Sequence, residues 1–238
     1  MVDKENIKQT INYNCCRWLH ILLAMHLYVE TLTKVANRYA PSRVISFDIV
    51  HIFKTLQLIK EHGRVSRDLL SKELTLGEGS IKTLVKHLKM NGFIETSQAG
   101  TKMTRKGMEI CSKLVSSIPA ETSIPQCSIA IGKFNHALLV KDYSFAIKYG
   151  IEQRDAAIKI GGIAATTLLF KDNKFRMPDS SQDCLRKEPH IRRLLTEKLK
   201  PQEGSIVIIG SSNNNEITAE LAAKNAAILT IMSHENHN

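Results

Sequence analysis

The chain has 238 residues, of which 43% are hydrophobic and 24% are charged, and its formal net charge is +10. That length allows two modest domains with hydrophobic cores. The best apolar run, Trp18–Tyr28, is too short for a membrane span, which takes about 20 apolar residues. No small-residue cleavage pattern follows this run. These features argue against a membrane protein and a secreted protein, and we expect a cytoplasmic one.

The cysteines predict reduced thiols, because there are five of them and the chain has no CxxC motif. The sequence also lacks metal-spaced histidine, cysteine and carboxylate residues, a Ser/His/Asp set and paired catalytic carboxylates. We therefore predict no metal, no cofactor and no enzymatic activity.

Residues 1–40 predict a long N-terminal helix with one apolar seam. The seam residues alternate four and three apart, as in a heptad repeat: Ile11, Cys15, Trp18, Leu22, Met25, Val29, Leu32, Ala36 and Tyr39. The partner of this seam is either the same helix of a second chain or the rest of its own chain. We favour a homodimer, because a two-fold dimer matches a two-fold operator. A translation start at Met25 would halve the seam, and Pro41 ends the helix.

Residues 41–118 have the pattern of a winged helix-turn-helix. In chain order, the predicted elements are a helix from about Phe47 to His62, a short helix Arg67–Leu74 capped by Ser66, a turn TLGEG, a helix Ser80–Asn91, two strands at 93–96 and 101–103 around a polar tip, and a helix opened by Thr104. In such an arrangement, the second helix of the helix-turn-helix lies in the major groove of DNA.

That second helix has an apolar face and a basic face. Ile81, Leu84, Val85 and Leu88 recur at helical spacing and predict a buried stripe. The opposite face and the hairpin supply the predicted contacts to double-stranded DNA, in which basic side chains meet phosphates and shorter ones approach base edges: Ser80, Lys82, Thr83, Lys86, His87, Lys89, Gln98, Thr101, Lys102 and Arg105. Residues 41–118 also carry a net charge of +6, whereas residues 1–40 and 119–238 each carry +2. This asymmetry favours nucleic-acid binding by the 41–118 segment.

Two prolines among small polar residues predict a linker at 119–127. Beyond it, alternating strands and helices predict an α/β domain at 128–238 with a mostly parallel sheet. The predicted strands are Ser128–Ile131, Ala137–Val140, Ile163–Phe170, Lys174–Met177, Ser205–Ile209 and Ala227–Met232. A turn at Asp172 and Asn173 is predicted to join the third strand to the fourth. The predicted helices are Tyr143–Tyr149, Glu152–Ile160, Pro189–Leu199 and Glu216–Asn225.

Two loops of this second domain form a candidate site for an anionic small molecule, because each lies beside a predicted helix N-terminus. We expect the Gly150–Asp155 and Gly210–Asn215 loops to border one pocket, with Arg154 meeting the anion. The alternative is a domain that serves only in assembly. The predicted ligand contacts are Gln153, Arg154, Asp155, Gly210, Ser211, Ser212 and Asn213.

Three stretches together carry a family resemblance: FDIVHIFKTLQLIKEHGRVSRDLLSKELTLGEGSIKTLVKHLKMNGFIETS, YGIEQRDAAIKIGGIAATTLLFKD and KPQEGSIVIIGSS. The chain resembles, from about Tyr39 to Met232, an archaeal family of uncharacterised proteins that join a winged helix to a C-terminal domain of unknown function. The resemblance implies an archaeal origin and a role in transcription regulation, and it implies no particular ligand or reaction.

The sequence thus predicts a DNA-binding transcriptional regulator with a small-molecule-sensing C-terminal domain. Two other functions stay open at this stage. One is an RNA-binding or protein-interaction adaptor that uses the winged helix for docking. The other is an enzyme whose winged helix regulates its own gene. The basic recognition face favours the regulator over the adaptor, and the lack of a catalytic constellation disfavours the enzyme.

Overall fold

The computed structural model describes residues 30–36 and 46–233. Most of the predicted N-terminal seam, Ile11 to Val29, therefore lies outside the described residues. Residues 30–36 are helical. The helices that follow are α1 (Ile49–His62), α2 (Arg67–Leu74), α3 (Glu78–Met90), α4 (Arg105–Ser117), α5 (Ile151–Lys159), α6 (Pro189–Leu199) and α7 (Glu216–Met232). The strands are β1 (Ile94–Ser97), β2 (Gly100–Met103), β3 (Glu121–Ile124), β4 (Phe134–Val140), β5 (Ala164–Lys171), β6 (Lys174–Arg176) and β7 (Ile206–Ser212).

The elements predicted for the first domain are all present, because local caps define their ends. Asp48 accepts a hydrogen bond from the Ile49 amide at the start of α1, and Ser66 accepts one from the Leu69 amide at the start of α2 (3.0 Å). Thr104 caps α4 in the same way. The α3 helix begins at Glu78, two residues before the predicted start, because the extended backbone of Gly77 serves as its N-cap.

The β1–β2 hairpin lies beside α3 and is held by the chain before α2. β1 and β2 pair antiparallel, and Val65 adds a bridge to Thr101 through two backbone hydrogen bonds of 2.9 and 3.0 Å. The closing helix α4 packs tightly under the hairpin at Gly107. A Cβ at this position would lie 2.1 Å from the carbonyl oxygen of Phe93, so only glycine allows this approach.

The second domain contains a five-stranded sheet in the order β3-β4-β7-β5-β6, and every neighbouring pair is antiparallel. The predicted mostly parallel sheet is therefore wrong. Alternating strands and helices predict that elements pack in layers, but they do not fix strand direction. The predicted β5–β6 turn is confirmed, and Asp172 and Asn173 hold it with φ angles of 50° and 56°.

Four other predictions for residues 119–238 differ from the structure. The predicted strand Ala227–Met232 is the second half of α7, whose apolar residues are buried on nearly every side and leave no polar stripe to reveal the helix. The predicted linker contains the edge strand β3, which pairs with β4. Tyr143–Tyr149 contains only the 3-10 turn Ser144–Ala146, and residues 128–131 form no strand beyond a single bridge between Cys127 and Ala130.

The sheet has one helical layer on each face. Leu138, Ile206 and Ile208 point towards α5 and α7, while Leu139 and Val207 point towards α6, as the alternation of a strand requires. The α5–α7 side is continuous with the core of the first domain, because α1 packs against α7. One hydrophobic cluster therefore contains residues of both domains.

Charged side chains of alternating sign cross this domain junction. Lys54 of α1 forms an ion pair with Glu220 of α7, and Glu220 also pairs with Lys224. The Lys224 ammonium lies 3.0 Å from Glu121 of β3 and 6.0 Å from the centre of the Phe53 ring. Lys54 and Lys224 are both buried. We call Lys54, Glu220, Lys224 and Glu121 the junction charges.

Candidate nucleic-acid interface

A groove of about 660 Å³ separates α3 from the β1–β2 hairpin. The predicted stripe Ile81, Leu84, Val85 and Leu88 is buried on the side of α3 that faces the core, which confirms it. The other side of α3 is open to this groove, whose lining residues come from α2, α3 and the hairpin: Val65, Ser66, Arg67, Asp68, Lys82, Val85, Lys86, Lys89, Met90, Thr96, Ser97, Gln98, Gly100 and Thr101.

Three of the predicted phosphate contacts lie along this groove. Lys82, Lys86 and Lys89 are exposed, and their spacing places them on one side of α3. Lys82 forms an ion pair with Glu78, one turn earlier, at 2.8 Å. The hydrogen bond and charge of Lys82 lower the pKa of Glu78. Lys86 and Lys89 form no ion pair with any acid among the described residues, so both ammonium groups can meet an external phosphate.

The shorter side chains predicted to read bases are only partly available. Ser80 and Thr83 are half-buried and Gln98 is exposed. The Thr83 hydroxyl donates to the Gly79 carbonyl at 2.9 Å, which leaves its lone pairs free to accept. Of these three residues, only Gln98 lines the groove directly.

His87 is not a base-reading residue, because it is buried. Its side chain is covered by the helical segment 30–36, and its ring Nδ1 donates to the Val35 carbonyl at 2.9 Å. The Phe47 ring meets it edge-on with centroids 5.4 Å apart. His87 borders the apolar stripe of α3, and the sequence pattern of α3 alone could not show that another segment packs on that border.

Three residues predicted to bind DNA from the hairpin and α4 also differ from expectation. Thr101 borders the groove but is only 3% exposed, and its backbone pairs with Val65, so its side chain offers little surface to DNA. Lys102 is exposed but forms an ion pair with Glu95 across the hairpin at 3.0 Å. Arg105 is exposed on α4, where it lines a separate depression with Met108 and not the groove.

The sequence prediction missed two arginines near the groove. Arg67 is the first residue of α2 and lines the groove opposite α3. Arg64 donates to the Ser97 hydroxyl at 3.3 Å and so links the turn before α2 to the hairpin tip. The signal for Arg67 was available, since the residue after an N-cap serine points its side chain to the open end of the helix, where phosphates bind.

The predicted ligand residues on β7 are structural. Gly210 lies within β7, and a Cβ there would be 2.4 Å from backbone atoms of Ala219 and Ala223, so this glycine lets α7 pack on the strand. Ser211 and Ser212 are buried, and the Ser211 hydroxyl donates to Asn135 at 2.7 Å. Asn213 is exposed and accepts a hydrogen bond from the Lys133 amide at 3.2 Å.

The other predicted ligand residues lie at the far end of α7. Gln153 is buried and donates to the Thr230 hydroxyl at 2.9 Å, while Arg154 and Asp155 are exposed and pair with each other at 3.1 Å. Thr230 lies about 21 Å along α7 from Glu216, at 1.5 Å per residue. The two loops therefore lie at opposite ends of α7, and the prediction that they border one pocket is wrong.

A different cleft, of about 570 Å³, lies at the domain junction. Its described lining comes from the segment 30–36, α1, α5 and α7: Thr33, Ala36, Asp48, Ile49, Glu152, Asp155, Ala156, Lys159, Asn225, Ile228, Leu229 and Met232. Lys159 spans the cleft to Asp48 at 3.1 Å. With three carboxylates and one ammonium, this lining has a net charge of −2, which disfavours an anionic ligand.

Comparisons with known proteins find matches to two separate segments of the chain. Residues 49–118 match the family model described as the CggR N-terminal DNA binding domain, and residues 131–231 match a domain of unknown function, DUF4443. The solved structure of a hypothetical protein, PH0730 from Pyrococcus horikoshii OT3, is 27% identical, covers 78% of this chain and 91% of its own, and has a TM-score of 0.59. No curated protein matches.

No helix within the described ranges is long and apolar enough to cross a membrane. The chain thus joins an N-terminal segment similar to a DNA-binding domain to a C-terminal segment similar to a domain whose function is unknown.

Proposed function

We propose that this protein is a transcriptional regulator that reads double-stranded DNA through a winged helix-turn-helix formed by residues 46–118. The α3 helix is the recognition helix, and the β1–β2 hairpin is the wing. The observation that carries this proposal is the groove between them, whose lining includes Lys86, Lys89 and Arg67 and, among acids, Asp68. The similarity of residues 49–118 to a DNA-binding domain supports the same assignment.

The side chains on and around the groove have separate roles in this proposal. Lys82, Lys86 and Lys89 on α3 and Arg67 on α2 meet phosphates on the two sides of the major groove, which gives affinity without sequence preference. Thr83 and Gln98 have the length and polarity to contact base edges. His87 and Thr101 take no part in reading, since both are buried.

Binding of the full chain to DNA duplexes over a range of salt concentrations tests the proposal. Replacing Lys82, Lys86 and Lys89 with alanine should weaken binding to all duplexes and lower the slope of log K against log salt by between about 2 and 3. A matched control replaces three exposed lysines of the second domain, Lys171, Lys174 and Lys198, and should leave the slope unchanged. Equal slopes for the groove variant and the parent would overturn the assignment, and a preference for single-stranded RNA would favour the adaptor function.

We propose that a small-molecule effector binds in the junction cleft and not at the β7 loop. The cleft volume lies in the range of small-molecule pockets, about 300–1,000 Å³, and such pockets often form between domains. Its net negative lining favours a cation with an apolar body. A thermal-shift screen of the full chain should therefore give stabilisation by amines and none by nucleotides. If a nucleotide stabilised the protein and Arg154→Ala abolished this effect, the result would support the anion site predicted from the sequence.

We also infer that the second domain is not catalytic, because three of its buried amide side chains take part in structural hydrogen bonds. Asn135 bonds to Ser211, Gln153 bonds to Thr230, and Asn225 donates to the Ala156 carbonyl. Turnover of any substrate by the purified chain that is lost on changing one of these residues, with the fold retained, would contradict this inference.

A further inference from the structure

Exposed apolar side chains are concentrated on and around α5. Of the large hydrophobic residues that are exposed within the described ranges, three are scattered (Met90, Met108 and Ile131), whereas five fall between residues 145 and 163: Phe145, Tyr149, Ile151, Ile158 and Ile163. Single exposed apolar residues are normal on a protein surface, but several within one short segment are typical of an interaction site.

The α5 helix presents a ridge to solvent. Ile151 and Ile158 are 50% and 48% exposed, and they lie two turns apart on the same side of the helix. At 100° per residue, Arg154 and Asp155 flank this ridge on opposite sides. The other face of α5 packs inside the protein, where Gln153, Ala156 and Ala157 are buried against α7 and the sheet.

We propose that this ridge is the contact surface for a second copy of the chain, with the two α5 helices parallel across a two-fold axis. A two-fold axis that runs along the helices places Ile151 against the partner's Ile151 and Ile158 against the partner's Ile158. It also places each Arg154 opposite the partner's Asp155. Tyr149 and Ile163 extend the apolar contact beyond the two ends of the helix.

The charges of Arg154 and Asp155 favour a second copy of the chain as the binding partner and a parallel orientation of the two helices. A contact between identical surfaces must be complementary to itself. In the free chain Arg154 and Asp155 form an ion pair with each other at 3.1 Å, so a second copy must exchange this pair for two ion pairs across the axis. In a parallel pair, the positive flank of each helix faces the negative flank of the other. In an antiparallel pair, Arg154 would face the partner's Arg154, which is unfavourable. This inference is independent of DNA binding and would hold if the proposed function were wrong.

Sedimentation of the full chain at concentrations up to about 100 µM tests the surface. The parent should form a dimer, and Ile151→Glu with Ile158→Glu should give a monomer, because charges would be buried in the contact. Circular dichroism and thermal melting check that the variant is folded. Both residues point to solvent in the free chain, so the monomer itself should remain stable. A monomeric parent, or a folded double variant that still dimerises, overturns the proposal.

A charge exchange tests the orientation. Arg154→Asp and Asp155→Arg should each weaken self-association at least tenfold, because each places like charges across the axis. An equimolar mixture of the two variants should restore dimerisation, since every facing pair is then opposite in sign. Arg193→Asp is a matched control on α6, where Arg193 is 71% exposed, and it should have no effect. A mixture that stays monomeric rejects the parallel arrangement.

Discussion

Lysines in two regions of this protein have opposite roles. In the groove, Lys82, Lys86 and Lys89 are exposed, so they keep their hydration until a phosphate displaces it. At the domain junction, Lys54 and Lys224 are buried and are balanced by Glu220 and Glu121. The net charge of +6 on residues 41–118 therefore overstates the charge available to DNA, because Lys54 is committed to the junction. Four predictions test this contrast.

Removing a junction lysine should have the largest effect on stability. Lys224→Met removes the buried ammonium that Glu220 and Glu121 share. Glu220 keeps its ion pair with Lys54, and the more exposed Glu121 keeps its contact with His136, so the loss should lie at the low end of the about 3–5 kcal/mol that breaking a buried pair costs. Denaturant unfolding should show this loss, while the salt dependence of DNA binding should not change. Lys198→Met, at an exposed position of α6, is the control. An equal loss of stability in the control would remove the contrast between the two regions.

Acid should weaken the junction before it affects the groove. Burial opposes ionisation of Glu121, but the hydrogen bonds and charges of His136 and Lys224 outweigh it and lower the pKa of Glu121 to about 2. The pKa of Glu121 is lower in the folded protein than its ordinary value of 4.5, so its ionised carboxylate stabilises the fold above pH 4.5. This stabilisation is lost as the pH falls from about 4.5 to 2. After allowance for solvent screening, the loss is about 2 kcal/mol.

Unfolding free energies measured between pH 7 and pH 2 check this prediction. Glu121→Gln should be less stable than the parent at pH 7 and should lose less stability on acidification. A parallel decline of the parent and the variant would contradict the role of Glu121. The same comparison with Glu95→Gln, on the exposed hairpin, should show no such difference.

Substitutions of His87 and of Thr83 should have different effects, because His87 lies on the buried face of α3 and Thr83 on the face proposed to read DNA. His87→Ala removes a buried hydrogen bond and a ring contact, so it should cost about 1–2 kcal/mol of stability and leave sequence preference intact. Thr83→Ala should do the reverse, with relaxed preference among duplexes and unchanged stability. Melting temperature and competition binding measure the two effects. If His87→Ala changed the sequence preference and left the stability unchanged, His87 would have to contact DNA bases.

The smallest expected effects distinguish lysines within the groove. Lys86→Ala should lower the salt slope by about 1, and Lys82→Ala should lower it less, because Lys82 is already paired with Glu78. Glu78→Gln should tighten binding a few-fold, since it removes a negative charge that competes with phosphate for Lys82. Weaker binding by Glu78→Gln would show instead that this ion pair positions Lys82 for DNA.

The sequence predicted the first domain well because its signals are local. Asp48, Ser66 and Thr104 cap helices through amides within three residues of themselves, and the apolar stripe of α3 follows directly from helical spacing. The same holds for α6, whose predicted bounds are confirmed, and for the turn at Asp172 and Asn173. The predicted phosphate contacts on α3 lie along the groove for the same reason.

Tertiary structure decided every feature that depends on distant partners. The burial of His87 depends on residues 30–36, which lie about fifty positions earlier in the chain. The separation of Gly210 from Arg154 depends on the course of α7, and the antiparallel order of the sheet depends on strand pairs up to about eighty residues apart. The amino-acid sequence by itself determined where the helices with side-chain caps start, which faces are apolar and which segment is basic. Only packing decided which polar side chains stay exposed, because burial is a property of the neighbours that the fold brings together.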